Sequence, residues 1–300
     1  MRRIALTALV LAALPVPTAT ASPPPGWRPD MAAARAYAAG RAGEVSFAVR
    51  TARRAWSWRG TTTYRSASVV KAMLLVGYLR RADVRGRALR AAERALLDPM
   101  VRASDNRAAD AIHARVGGTG LTALARRAGM RQFVAHPVWG GSSITADDQT
   151  RFFLRVDQLV PRRHRAYAMG LLRNVVPAQR WGIAAVVPAG WRIAFKGGWG
   201  RGVTRQVEHQ AALLTNGRWR VAVAVLTADN PAAGYGATTQ QSVAVRLLRG
   251  LPRELRGRVG GSRRGLGQPS SAPSSSSATM TPYTKTNGEI PSSGGMQGGR

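Results

Sequence analysis

Three of the 45 basic side chains in this sequence are lysines, and two of those three stand among serines and glycines in arrangements suited to proton transfer. Lys71 follows Ser68 by three residues in Ser68-Val69-Val70-Lys71, and Lys196 opens Lys196-Gly197-Gly198-Trp199. The third, Lys285, falls in a low-complexity tail. A guanidinium keeps its proton in a protein, whereas an ammonium can lose it once burial or a nearby cation lowers its pKa. Ser68 and Lys71 at i and i+3 share a helix face. If Ser68 begins that helix, its hydroxyl sits where backbone N–H groups and the helix dipole favour an oxyanion. A neutral Lys71 could then accept the serine proton, since functional burial brings amines from about 10.4 to roughly 7–8. Ser104-Asp105-Asn106, between two helical runs, adds a hydroxyl and an amide. Each pattern alone also fits a plainer structure. Ser-x-x-Lys fits a helix cap with a snorkelling lysine, Ser-Asp-Asn an N-cap, and Lys-Gly-Gly a strand ending in a glycine turn.

The elements that must position these residues follow from periodicity. Residues 31–42 are Ala-rich and helical in character. Residues 44–51 and 55–59 alternate and carry Val, Phe and Trp, so they read as two strands of a hairpin. Residues 68–81 are apolar almost all round, which predicts a buried central helix. Further helices are expected over 87–100, 106–116 and 121–128, separated by Gly117-Gly118 and Gly129. Thr145-Ala146-Asp147-Asp148 reads as a capping box that starts another. After a helix near 163–175 the texture turns to strands at 192–197, 207–215 and 219–227, the last two joined through Asn216-Gly217. A helix over 237–251 closes the domain. Strands thus come from both ends of the chain and helices from its middle. The predicted α/β (α+β) fold is a mostly antiparallel sheet covered by terminal helices, beside an all-helical insertion.

Composition sets the outer limits. At 300 residues and 45% hydrophobic, the chain can bury a substantial core. Arg2-Arg3, the apolar stretch 4–14 and Ala19-Thr20-Ala21 read as a secretory signal over 1–21, too short to span a bilayer. The folded domain is expected over 22–258, with a Gly/Ser/Pro-rich tail over 259–300 that cannot bury enough apolar surface to order itself. No later segment is long enough to cross a membrane, so a secreted, soluble protein is expected. Cysteine is absent, which removes disulfides and thiol chemistry, and the four histidines show no metal-ligand spacing. Neither a metal nor a cofactor is called for. The net charge of +31 fits either a solvated surface or attraction to anionic cell-envelope polymers. The arginines are not interleaved with aromatics as a nucleic-acid stacking platform requires. A monomer is expected.

Taken in order, Ser-x-x-Lys, Ser-Asp-Asn and Lys-Gly-Gly resemble the active-site signature of the penicillin-recognising serine enzymes, most closely the class A β-lactamases. The likeness extends from about residue 31 to 251, through Ala108-Ala109, Gly117-Gly118 and the Thr145-Ala146 helix start. It implies that Ser68 is the acylated nucleophile and Lys71 its general base or part of a proton relay. Ser104 would carry a proton to the leaving nitrogen, and Asn106 would bond the substrate amide. Lys196 would set the electrostatics of Ser104 and attract a substrate carboxylate. Backbone N–H groups of Ser68 and Trp199 would form the oxyanion hole, with Gly197 and Gly198 lining the substrate. The two ammonium groups would each lower the other's pKa. Lys196 would need mainly a charge, so arginine should replace it more mildly than it replaces Lys71.

Two departures from the family pattern stand out. The hydroxyl residue that normally follows the third-motif lysine is Gly197 here, which leaves Arg201 or Arg205 as stand-ins for binding a carboxylate. The family's water-activating Glu is also missing. Between Asn106 and Thr145 the only acid is Asp110, on the same helix as Asn106, and His136 lies in the right stretch but reads as a loop histidine beside Pro137. The short stretch from Ser68 to Ser104 implies a trimmed helical subdomain. The sequence therefore implies an exported serine acyl-enzyme acting on a β-lactam, a peptidoglycan-like peptide or a related ester, with slow deacylation. The competing expectation is a non-catalytic cell-wall-binding module on the same scaffold.

Overall fold

The computed structural model describes residues 26–202, 205–217 and 219–252. The leader expected at 1–21 and the tail expected at 259–300 lie outside the described residues.

The chain begins with α1 (Met31–Ala39), then β1 (Glu44–Arg50), β2 (Ala55–Trp58) and the short β3 (Tyr64–Arg65). A 3₁₀ turn over Ala67–Val70 leads into α2 (Lys71–Leu79), followed by α3 (Ala91–Arg102), α4 (Asn106–Ala128), the short β4 (Ser143–Ile144), α5 (Ala146–Leu154), α6 (Val156–Leu159) and α7 (Arg165–Arg173). Three long strands, β5 (Arg192–Arg201), β6 (Gln206–Asn216) and β7 (Trp219–Asn230), precede the last helix, α8 (Tyr235–Leu247).

The five long strands form one antiparallel sheet in the order β2-β1-β7-β6-β5, so the first and last thirds of the chain meet where β1 pairs with β7. Period-two alternation sorts their side chains onto two faces. Phe47, Val49, Phe195, Val223 and Val225 face α1 and α8. Ala48, Ala194, Ala211, Ala222 and Ala224 face the helical part of the chain. Small residues on that side let α5 lie close to the sheet, with α2 packed beyond against α4. Met73, Leu74, Leu75 and Val76 are fully buried, which is why that stretch shows no polar face in the sequence.

Several boundaries differ from expectation for physical reasons. The single helix expected over 68–81 is split, because the chain leaves β3 through Ala67 at φ +43° and can resume only as a tight 3₁₀ turn, with Val69 N donating to Ser66 O at 3.1 Å. Ser68 therefore lies in the 3₁₀ turn, and Lys71 is the first α-helical residue. The two helices expected on either side of Gly117-Gly118 are one run bent at Gly117, whose φ of 66° and ψ of 170° only glycine adopts readily. Strand β5 continues past Lys196, with Gly197 opposite Gln210 and Gly198 opposite His209, so both glycines lie inside a strand and not in a terminal turn.

Only half of the expected capping box forms. Thr145 Oγ1 accepts from Asp148 N at 3.2 Å. The Asp148 carboxylate instead accepts from Arg131 N at 2.8 Å and Gln132 N at 2.7 Å, fixing the start of the loop that runs to β4. Asp148 is 1% exposed, so both bonds are shielded from water. Asp148→Asn should turn one acceptor into a donor facing an N–H and destabilise the fold by about 2–3 kcal/mol. A urea midpoint shift with unchanged slope would confirm this, and an unshifted midpoint would contradict it.

Candidate active site

The nucleophile turn is held from two sides. Beneath it, fully buried His209 donates from Nε2 to Arg65 O at 2.9 Å and accepts at Nδ1 from Thr227 N at 3.2 Å. That pairing requires a neutral ring, and burial holds its pKa down to about 4. Beside it, the Ser66 hydroxyl lies 3.2 Å from Trp139 O and 3.4 Å from Gly140 O, and Ser66 N donates to Ser142 O at 2.8 Å. The loop after α4 is thus fastened to the residues that carry Ser68. Ser104, like Ala67, sits in the left-handed region, at φ +61°. It is fixed by Asp105, whose Oδ1 caps α4 at Ala108 N (2.7 Å), and by Gln179 Nε2, which donates to Ala103 O at 2.8 Å. Non-glycine residues in that region cost on the order of 1–3 kcal/mol and persist where the surroundings over-determine them.

These elements bring the sequence-predicted residues together. Lys71 Nζ donates to Ser104 O at 2.5 Å and Asn106 Oδ1 at 2.8 Å, and lies 3.3 Å from Ser104 Oγ. Lys196 Nζ lies 3.1 Å from Ser104 Oγ and donates to Gly197 O at 2.7 Å. Both amines are fully buried, and Ser104 and Ser68 are 4% and 8% exposed. Burial lowers Lys71 to about 7, against the upward pull of Asp105 and Asp110. Burial also holds Lys196 well below its ordinary value, with the charge of Lys71 a second cause.

A neutral amine has two N–H bonds and one lone pair. On Lys71 the two carbonyl oxygens take the N–H bonds, which leaves the lone pair for a hydroxyl. On Lys196, Gly197 O takes one N–H, and the other reaches Ser104 Oγ. Ser104 is therefore placed to accept from Lys196 and donate toward Lys71, the arrangement of a proton carrier. Ser68 Oγ makes no hydrogen bond with Lys71 among the described residues. Such catalytic contacts often tighten only around a bound substrate.

The lowering expected to be mutual is found in one direction: burial is the main cause at both lysines, and the charge of Lys71 lowers Lys196, whereas the charges acting on Lys71 are those of Asp105 and Asp110. Lys196 is also a fully buried hydrogen-bond donor to Gly197 and a neighbour of Ser104 Oγ, so a bulkier guanidinium there would have to displace its surroundings.

Three aromatic side chains complete the site, and the motifs named only the last of them. Trp139 places its ring 4.7 Å from Lys71 Nζ and donates from Nε1 to Asp110 Oδ1 at 2.7 Å. The i, i+4 spacing of Asn106 and Asp110 did place both on one helix face, but nothing local marked Trp139 as their neighbour. Trp181 packs edge-on against Trp199 beside Gly197. His136 stays outside the cluster: it is exposed, and its Nδ1 accepts from Val138 N at 3.0 Å. Gly198 is the point of closest approach, because a Cβ there would lie 2.8 Å from Ser68 N and 2.7 Å from Val69 N. Strand β5 therefore brings Trp199 alongside the Ser68 peptide, where two N–H groups could face one oxyanion.

A family model described as Beta-lactamase enzyme family matches residues 90–251, more than half of the chain. The chain belongs to the β-lactamase enzyme family. It is a serine hydrolase of the β-lactamase and penicillin-binding superfamily, and its antiparallel sheet with flanking helices is the class A fold. The β-lactamase of Sphaerobacter thermophilus superposes with a TM-score of 0.62 at 20% identity, covering 73% of this chain and 96% of that one. A β-lactamase of Xanthomonas campestris pv. campestris gives 0.63 at 17% identity, covering 74% and 97%. An ancestral class A β-lactamase gives 0.59 at 19% identity, covering 71% and 96%. No curated protein matches the chain.

Gly198→Ala should force β5 away from backbone that cannot yield. It should slow acylation by at least about tenfold while costing roughly 1–3 kcal/mol of stability, measured by intact-mass kinetics and thermal unfolding. Acylation near wild-type rates would refute the close approach.

Proposed function

We propose that Ser68 attacks the carbonyl of a β-lactam or related amide or ester and that the resulting acyl-enzyme persists. Neutral Lys71 takes the Ser68 proton as the C–O bond forms. Ser104 delivers a proton to the leaving nitrogen as the C–N bond breaks and is reprotonated from Lys71, so no proton is left unassigned. The oxyanion is held by the peptide groups of Ser68 and Trp199. The leader expected at 1–21 supports an extracytoplasmic site of action.

The observation that carries this reading is the indole of Trp139 against Lys71. Turnover of a serine ester needs a base to activate water, and in class A β-lactamases that base is a glutamate. The acids that influence Lys71 are both engaged: Asp105 caps α4 and Asp110 holds the Trp139 indole. What stands 4.7 Å from Lys71 Nζ is an aromatic ring and not a carboxylate. This supports acylation by Ser68 followed by slow deacylation.

Incubation with a fluorescent penicillin should label Ser68 and leave an adduct that outlasts the free drug, with no label on Ser68→Ala. An unlabelled but folded wild type would leave the cell-wall-binding module as the surviving reading. Trp139→Glu, which places a carboxylate at the face of Lys71, should shorten the adduct's lifetime at least about tenfold. An unchanged lifetime in that variant would exclude the indole as the cause.

Acylation should rise with pH through about 7, since Lys71 must be neutral to act and its pKa lies there. Lys71→Arg should abolish it at every pH, because a guanidinium cannot accept the proton. A pH-independent rate, or normal labelling of Lys71→Arg, would rule Lys71 out as the base.

A further inference from the structure

Outside the lysine cluster, a cavity of about 520 Å³ opens between the bend in α4 and the loop that follows that helix, a size usual for a small-molecule site. His113 comes from the helix before the bend, Thr119, Thr122 and Arg126 from the helix after it, and His136 and Pro137 from the loop. The loop rests directly on the bend, since a Cβ on Gly118 would lie 3.5 Å from that of Ala135. None of the motif residues lines this space.

Its polar side chains are donors with nothing to bond. Thr119, Thr122 and Arg126 follow one another at spacings of three and four, which stacks them along one face of the helix. Neither the two hydroxyls nor the guanidinium makes a hydrogen bond or ion pair among the described residues. His136 is pinned through one nitrogen: its Nδ1 lies 3.0 Å from both N and O of Val138, and a Cβ on Gly141 would come within 2.7 Å of that atom. Its Nε2 is left unbonded, and it carries the proton of the neutral ring when Nδ1 accepts from Val138 N. At the bend, His113 Nε2 is shielded from water and also lacks a partner. No carboxylate is among the lining residues, and Asp110, one turn before His113, is taken by the Trp139 indole. A guanidinium and neutral donors arriving from two walls suit a tetrahedral oxyanion, whose oxygens point in several directions, better than a planar carboxylate. The volume exceeds that of a bare phosphate, and Ala135 and Pro137 add an apolar strip, so the anion should carry an organic group.

We propose that this cavity binds a phosphate ester, its oxygens held by Arg126, Thr119, Thr122 and His136 Nε2 and its organic part lying against Ala135 and Pro137. The proposal stands apart from the acyl-enzyme reading and uses none of its residues.

The histidines make a direct reporter, since His113 and His136 line the cavity while His164 and His209 are buried elsewhere. The full chain is titrated at fixed pH and an ionic strength of about 0.15 M, which screens attraction to the surface at large. The ring Cε1–H resonances are followed by NMR and assigned from His113→Gln and His136→Gln. Glycerol 3-phosphate and a glycerol phosphate oligomer are the probes. At least one should shift the His113 and His136 signals saturably and leave those of His164 and His209 in place. Tighter binding of the oligomer would assign the site to a polymer-borne ester, and tighter binding of the monomer to a soluble one. Affinity should fall at least about tenfold in Arg126→Ala and recover partly in Arg126→Lys. It should be unchanged in Arg192→Ala, an exposed arginine at the start of β5. The proposal is overturned if neither probe gives a saturable shift, or if acetate or inorganic phosphate binds as tightly as the better ester. It is overturned equally if Arg192→Ala weakens binding as much as Arg126→Ala, which would mark attraction to positive charge in general.

Discussion

Two amines are buried side by side in this protein without a carboxylate bonded to either, and much of the structure serves to make that tolerable. An ammonium in such a place is penalised, so burial lowers the pKa of both lysines and favours their neutral forms. Neutrality in turn demands geometry. Every N–H needs an oxygen, which is why the backbone carbonyls of Ser104 and Gly197 and the amide of Asn106 converge on the pair. The left-handed turn at Ser104, the run of β5 through two glycines and the 3₁₀ entry to α2 all bring those oxygens within reach. The same burial that lowers the pKa of Lys71 would, on the proposed acyl-enzyme reading, favour the first half of a hydrolytic cycle over the second.

The architecture was largely legible from local pattern, because its main signals are local. Alternation in 44–50 and 219–230 reflects two faces of one sheet, and the polar-free stretch around Met73 reflects a helix enclosed on all sides. The motif residues came together as their order implied: Lys71, Ser104, Asn106 and Lys196 meet, with the Ser68 backbone against Gly198, although they come from three separate segments. What local pattern could not supply were effects that exist only after folding. Ala67 and Ser104 adopt backbone conformations that their side chains do not favour, so propensity argued for a longer helix and an ordinary turn. Asp148 looked like half of a capping box and became an anchor for a loop 16 residues earlier in the chain, because its buried carboxylate accepts from two backbone N–H groups there.

The indoles show the same limit more sharply. Trp139 and Trp181 sit in loops, where sequence carries little periodic information, and their roles depend on which side chain each faces across the site. A tryptophan after a proline-bearing loop has no signature that separates a surface ring from one laid against a catalytic amine. The lysine rarity was a better guide than the aromatic content, since it reports a requirement for exchangeable protons that arginine cannot meet. It could not say that the Lys196 amine would be fully buried beside Ser104 and bonded to Gly197, because burial exists only after folding.

The Ser66 hydroxyl reaches the loop through the main-chain oxygens of residues 139 and 140, not through their side chains. Those two bonds do not depend on which side chain residue 139 carries. The position behaves as a detachable fitting on a fixed mount: a lineage could exchange the ring for a polar group by changing one codon, moving from retaining its acyl group toward releasing it, with the rest of the apparatus already standing.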